Sequence, residues 1–238
     1  MEVKTGPLYL IPTRLGDNAP LEVLPISVKK IIETVDDYIV ENEKTARRFI
    51  KKISSGKSQA ALTIHILNKY TQESELPSFL NACLSGRPVG LLSEAGCPGI
   101  ADPGADIVKI AHEQEIKVIP LVGPSSILLA LMSSGMNGQS FTFNGYLPID
   151  KAERRSKLKK LEKQSFDLNQ SQIFIETPYR NNKMLQDICT SLGANTRVCV
   201  ACDITLPTEY IKTKSVKEWK QENVDLHKRP AIFIIQKD

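Results

Sequence analysis

The chain has 238 residues, 41% hydrophobic and 24% charged, enough for a real core in one large domain or two small ones. Thirty-one basic residues against 27 acidic leave a net charge of +4, compatible with nucleic acid and with an ordinary soluble surface. No apolar run reaches the length of a bilayer span and no signal region opens the chain, which argues against membrane and secreted classes. Five cysteines without a regular framework point to a reducing cytoplasm.

Strand-like and helix-like patterns alternate from end to end. Pro7 to Pro12 reads as a first strand that runs into the loop TRLGDNAP. A helix follows from Pro25 to Glu33, then a strand at Tyr38 to Val40 and an amphipathic helix over 43–53. Residues 61–67 fit a strand or a short helix, and 75–84 read as a helix with Pro77 in its first turn. The strand at 88–92 opens into SEAGCPGIADPG, which carries Gly96, Gly99 and Gly104 with Pro98 and Pro103. Such a loop folds tightly against a strand end and lets backbone approach a ligand. In open α/β sheets the carboxyl ends of strands are where ligands bind. The stretch is neither a P-loop nor a G-x-G-x-x-G fingerprint.

A helix from Pro103, with Ile107, Ile110 and Ala111 on one face, leads to a strand at 116–120, the grammar of a parallel sheet. The turn-forming LVGPSS then marks a domain boundary, giving domains at 1–120 and 121–238. Ser125 or Ser126 suits the cap of the apolar helix that follows. The second half repeats the alternation: strand 141–145, helix 151 to about 164, strand 172–176, helix 180–192 and strand 197–201. A hairpin-like pair flanks Pro207, and the last strand is 231–235. Cys199 and Cys202 have C-x-x-C spacing but lie in a strand pattern, where they point to opposite faces, so no metal site is expected.

Seven segments, in order, carry a resemblance: LYLIPTRLGDN at 8–18, ENEKTARRF at 41–49, SEAGCPGIADPG at 93–104, IPLVGPSS at 119–126, FNGYLPIDKAERR at 143–155, FIETPYR at 174–180 and RPAIFII at 229–235. With these the chain resembles the tetrapyrrole methylase superfamily of S-adenosylmethionine-dependent methyltransferases. Within it, the chain looks most like the bacterial 16S rRNA (cytidine-2′-O)-methyltransferase family. The resemblance implies two α/β domains of the class III methyltransferase fold, with S-adenosylmethionine in the interdomain cleft of a cytoplasmic homodimer. By position in the family pattern, the cofactor contacts are Gly96, Cys97, Ile100, Ser125 and Ser126, then Glu176, Ala201, Pro230 and Ala231.

The implied acceptor is a ribose 2′-hydroxyl of small-subunit ribosomal RNA. That hydroxyl is a poor nucleophile, which a nearby base or oriented acceptor helps. The catalytic group is unassigned, with Glu41, Glu94 and Asp102 as the loop carboxylates to consider and Glu176 beside them. Asp102 is better suited to a capping role at the helix near Pro103. KAERRSKLKKLEK at 151–163 holds seven basic residues against two acidic, so Arg154, Arg155 and Lys157, with Arg180, are the RNA-contact candidates. A solvated helix with Glu153 and Glu162 paired to lysines reads the same way. Arg47, Arg48, Lys51 and Lys52 form a second, smaller basic patch.

Three departures from the family pattern stand out. The first loop reads PTRLGDN, VACDITLPTEYI at 200–211 lacks the pattern's basic groups, and the chain ends soon after its last strand. Two alternatives accordingly stay open: a methyltransferase for a tetrapyrrole or other small molecule, and a non-catalytic RNA- or ligand-binding paralogue.

Overall fold

A computed structural model describes residues 5–238, and the chain divides into two units, Met1–Ser125 and Ser126–Asp238. Residues 121–125 stay with the first unit for a local reason. Leu121 N–H donates to Leu10 O at 3.0 Å, the Cys97 thiol reaches Pro124 O at 3.4 Å, and Gly123 lies against Pro12. A Cβ on Gly123 would fall 2.2 Å from Pro12 Cγ, so only glycine lets this segment pass there.

The first unit is built on five parallel strands: β1 (Leu8–Ile11), β2 (Asp37–Val40), β3 (Thr63–Ile66), β4 (Val89–Leu92) and β5 (Val118–Pro120). Their order is β3-β2-β4-β1-β5. Helices α1 (Pro20–Val23), α2 (Ile26–Thr34), α3 (Glu43–Ile53), α4 (Asn81–Leu84) and α5 (Gly104–Glu113) fill the connections. Central strands buried on both faces favour apolar residues, which is why β4 reads as an unbroken run and β2 as one after Asp37, whose buried carboxylate pairs with Arg87. One face packs Ile11, Tyr38, Val40 and Leu92 against Val28, Ile32 and Phe49 of α2 and α3. The other packs Leu8, Ile39, Val89 and Leu91 against Leu80 and Ile107. Gly90 in β4 sits under the Tyr38 ring, where an added Cβ would come within 2.9 Å of two ring carbons.

The undecided stretch 61–67 is strand β3, paired in parallel with β2. The expected helix over 75–84 is a 3-10 helix, Glu73–Leu80, that hands over to α4, with Pro77 inside it. Proline gives no N–H and its ring crowds the preceding turn, so a regular α-helix is interrupted there and the stretch winds as a short 3-10 segment. The helix expected from Pro103 starts at Gly104, whose N–H is taken by Asp102 Oδ1 at 2.9 Å.

The second unit is a five-stranded mixed sheet of order β6-β7-β10-β8-β9. Its strands are β6 (Phe141–Tyr146), β7 (Ser171–Ile175), β8 (Arg197–Cys202), β9 (Tyr210–Ser215) and β10 (Ala231–Gln236). Only β6 and β7 pair in parallel; β8 and β9 form the hairpin around Pro207. Helices α6 (Ser126–Ser134), α7 (Lys151–Leu168), α8 (Asn181–Ser191) and α9 (Val216–Trp219) complete it. Leu158, Leu161 and Ile188 from α7 and α8 close one face over Phe174, Val200 and Phe233. α7 outruns its expected end and stops where Asn169 turns left-handed, φ +45°. Cys199 and Cys202 are both buried, and Cys202 alone of the pair joins the core under α7 and α8. Among the described residues no cluster of three His, Cys, Asp or Glu side chains suits a metal ion, and no helix is long and apolar enough to cross a membrane.

Candidate functional site

The carboxyl edge of the first sheet collects the loops that follow β1, β2, β4 and β5. The chain leaves β1 and β2 toward α2 and α3, and leaves β4 toward α5 on the opposite face. Loops that part to opposite faces open a crevice between neighbouring strands, where ligands bind in such sheets. A pocket of about 250 Å³ lies there, with Thr13, Arg14, Asp17, Thr45, Arg48 and Glu94 among its walls.

The walls are tied together. Thr13 N–H donates to Gly96 O at 2.9 Å, which joins the loops after β1 and β4, and Ser93 Oγ donates to the same carbonyl at 2.9 Å. Asp17 accepts from Lys52 Nζ on α3 at 2.9 Å and from Arg14 at 3.0 Å. These two cations, Lys52 first, hold its carboxyl below the usual carboxylate range. Asn42 caps α3 by accepting from Lys44 and Thr45 N–H, which sets the first turn of that helix beside Glu94. Thr45 Oγ1 then donates to Glu94 Oε1 at 2.6 Å, and the Glu94 N–H donates to Glu41 Oε1 at 3.3 Å. Burial pushes the Glu41 carboxyl up; the Glu94 N–H opposes that, while the Asp102 and Glu94 charges add to it.

The three carboxylates considered for catalysis thus end in different environments. Asp102 Oδ1 accepts from Gly99 N–H at 2.7 Å and from Gly104 N–H, which spends it on shaping the loop and starting α5. Glu41 supports the Glu94 backbone. Glu94 is exposed and lines the pocket.

Of the expected cofactor residues in the first unit, Gly96 is buried with φ +79°, a left-handed geometry that favours glycine. Cys97 donates its thiol toward Pro124 O, and burial pushes that thiol up, so it is a quiet packing group and not a nucleophile. Ile100 is 54% exposed at the loop tip, and Ser125 ends the unit.

In the second unit, Ser126 opens α6, and the other four residues meet at one edge of the sheet. Glu176 follows β7, Pro230 precedes and Ala231 begins β10, and Ala201 on β8 pairs with Ile232 of β10. Glu176 is 5% exposed and its Oε1 accepts from Thr177 N–H and from Arg180, each at 2.6 Å. The 203–209 turn beside them runs through Asp203 at φ +50° and Thr205 at φ +74°. It is clamped by Arg229, which donates to Asp203 at 2.7 Å and to Thr208 O at 2.6 Å. A basic group therefore does reach this turn, from the neighbouring strand connection and not from the turn itself.

The RNA-contact candidates separate. Arg154 is 4% exposed and makes a two-pronged bond to Asp187, at 2.9 and 2.5 Å, while its Nη1 donates to Pro148 O and Ile149 O. That corrects its assignment: it has no free face for a phosphate and instead fastens the 146–150 turn to α8. Arg155 shares Asp187 at 3.4 Å and donates to Thr190 at 3.1 Å. Arg180 is held by Glu176, and Lys157 is half-buried on α7. Thr13, Thr45 and Ser93 are pocket residues that sequence reasoning missed. The available signal was their position at a strand end or on the first turn after one.

No family model matches the chain. A protein of Synechocystis sp., ribosomal RNA small subunit methyltransferase I, is 31% identical over 203 residues, 84% of this chain and 67% of its own length. The protein of the same name from Buchnera aphidicola subsp. Schizaphis graminum is 29% identical over 237 residues, 98% of this chain and 78% of its own. Among solved structures, the methyltransferase CobJ superposes with a TM-score of 0.64 at 14% identity, covering 98% of this chain and 95% of that one. The fold is that of the tetrapyrrole methylases, and with these ribosomal RNA methyltransferase relatives the protein is a class III S-adenosylmethionine-dependent methyltransferase. Within that class, the chain belongs to the ribosomal RNA small subunit methyltransferase I family.

Proposed function

We propose that this protein transfers the methyl group of S-adenosylmethionine to a ribose 2′-hydroxyl of small-subunit ribosomal RNA, acting in the cytoplasm as a homodimer. The observation that carries the reading is family membership together with an intact, tied-down carboxyl edge in the first unit.

The residues present fit the cofactor. Gly99 and Ala101 take left-handed φ values of +78° and +59°, so the loop turns its backbone outward. No atom lies closer than 4.0 Å to where a Cβ on Gly99 would sit, which leaves room for a ligand against that backbone. The exposed Ile100 side chain between them supplies an apolar cover for a ring. Gly96, Cys97, Ile100 and Ser125 would hold the cofactor from the first unit, and Ser126, Glu176, Ala201, Pro230 and Ala231 from the second. When bound, it supplies a sulfonium methyl that is already activated for displacement.

What remains for the chain is to align the acceptor, exclude water and take up a proton. Glu94 is the carboxylate best placed for the last task. It is exposed in the pocket wall, acceptor-only when ionised, and fixed by Thr45. The exposed cations of α7, Lys151, Lys159, Lys160 and Lys163, suit an RNA backbone lying across the second unit.

The test has two stages. Calorimetry of the purified chain with S-adenosylmethionine should give saturable binding near one equivalent. Tritiated cofactor should then label small-subunit particles, with the label at a 2′-O position after nuclease digestion. Binding without labelling of any RNA, or labelling of a tetrapyrrole instead, would overturn the RNA assignment.

A further inference from the structure

The carboxyl-edge pocket of the first unit carries two groups the fold itself leaves unused. Thr13 lines it and is 6% exposed, and its backbone N–H is spent on Gly96, yet its Oγ1 has no hydrogen-bond partner. A buried hydroxyl left unpaired costs stability, which a bound ligand returns. Arg48, exposed on α3 at the rim, is the second. Among the described residues every other arginine is paired to a carboxylate, and Arg48 is not. The adjoining wall offers the Glu94 carboxylate, locked by Thr45.

A cation at the mouth, a hydroxyl in the depth and a fixed acceptor beside them match a ligand with one anionic group and several donors. A nucleotide is such a ligand: guanidinium grips phosphate, while carboxylate and hydroxyl read ribose hydroxyls or base amines. Size points the same way. At about 250 Å³ the pocket lies below the roughly 300–1,000 Å³ of sites for drug-sized ligands. It suits one ring system with its substituents. Residues 93–95 line it, while 96–100 of the same loop are those assigned to the cofactor, which sets donor and acceptor on one short stretch of chain.

We infer that this pocket seats the acceptor nucleotide of the RNA, lifted from its stack, with Arg48 on its phosphate and Thr13 Oγ1 and Glu94 on the polar edges of its nucleoside. The inference rests on the proposed RNA methylation.

Full-length R48A and T13V decide it, beside K109A, which removes an exposed lysine of α5 outside the pocket. Three quantities are read: cofactor affinity by calorimetry, methyl transfer to small-subunit particles, and the salt dependence of binding to a short single-stranded RNA. R48A should raise the KM for particles about tenfold to a hundredfold and lower the salt slope by about 1. T13V, close to isosteric, should cut kcat/KM roughly tenfold. K109A should methylate at wild-type rates, and all three should bind the cofactor as the wild type does. Wild-type KM and salt slope in R48A and T13V overturn the inference while RNA methylation stands. Loss in R48A with T13V unchanged overturns it too, leaving a surface phosphate contact only. No methyl transfer to particles by the wild type removes the proposed function and this inference with it.

Discussion

Glu41 and Glu94 share a hydrogen bond but not an environment, and their predicted behaviours differ accordingly. Glutamine at 94 keeps the size and still accepts from Thr45, but it removes the charge that would take the hydroxyl proton. E94Q should therefore lower kcat by roughly a hundredfold with cofactor affinity unchanged; a wild-type kcat in single-turnover methyl transfer removes Glu94 from the reaction. Glu41 instead shows itself in stability. Its carboxyl is raised above 4.5, chiefly by burial, so the folded chain binds this proton more tightly than the unfolded chain. Its contribution is greatest in acid and declines as pH rises from the ordinary value through the higher folded one. E41Q keeps the acceptor for the Glu94 N–H and should abolish that decline, seen as urea midpoints that rise relative to those of the wild type from acid to neutral pH. Asp17 works in the opposite sense and in a lower window. Its carboxyl is lowered from 3.8, so its pairing to Lys52 and Arg14 stabilises above that value and is lost below it.

At the scale of elements, α7 shows both how much the sequence reveals and where it misleads. Its charges read as a solvated or RNA-facing helix, yet Arg154 falls in register with Leu158, Leu161 and Ser165, the buried stripe of that helix. The helical spacing was legible; the charge of the first member hid it. An arginine enters such a stripe only with a partner, and Asp187 on α8 is that partner, invisible until the two helices are packed. R154A should cost about 3–5 kcal/mol by leaving buried Asp187 with only the longer Arg155 contact, measured by urea denaturation; a loss under 1 kcal/mol would mean that Arg155 alone satisfies Asp187. Strands β1, β2, β4 and β10 were legible as apolar runs bounded by turn formers. β3 was not, because TIHI is short, half-buried and set at the sheet edge, where periodicity is weak. The four-residue α9 was likewise hidden, since its capping pair, Ser215 and Glu218, sits between a strand and a loop with no apolar repeat to announce it. The pocket illustrates the deepest limit. Arg48 belonged to a visible basic patch, but what sets it apart is that, among the described residues, no carboxylate pairs with it, although Asp17 and Glu94 line the same pocket; that is a property of tertiary structure alone.

At the scale of the molecule, the two units have separate hydrophobic cores, and the expected cofactor residues are divided between them. The chain holds a single tryptophan, and it reports on one unit only. Trp219 is buried in the second core with its Nε1–H donated to Val198 O at 2.8 Å. A ligand that binds the folded state alone stabilises whatever it binds, by about 2.7 kcal/mol at a hundredfold excess over its Kd. If Glu176, Ala201, Pro230 and Ala231 hold S-adenosylmethionine, the unfolding of the second unit must feel its presence. Urea unfolding followed by Trp219 fluorescence should then shift to a higher midpoint when the cofactor is added, and E176A should shrink the shift. Calorimetric binding with an unmoved fluorescence midpoint would place the cofactor on the first unit alone and strike those four residues from the site. A shift that survives E176A undiminished would keep the second unit in the site and release Glu176 to its visible role, which is to hold Arg180 and the turn that follows β7.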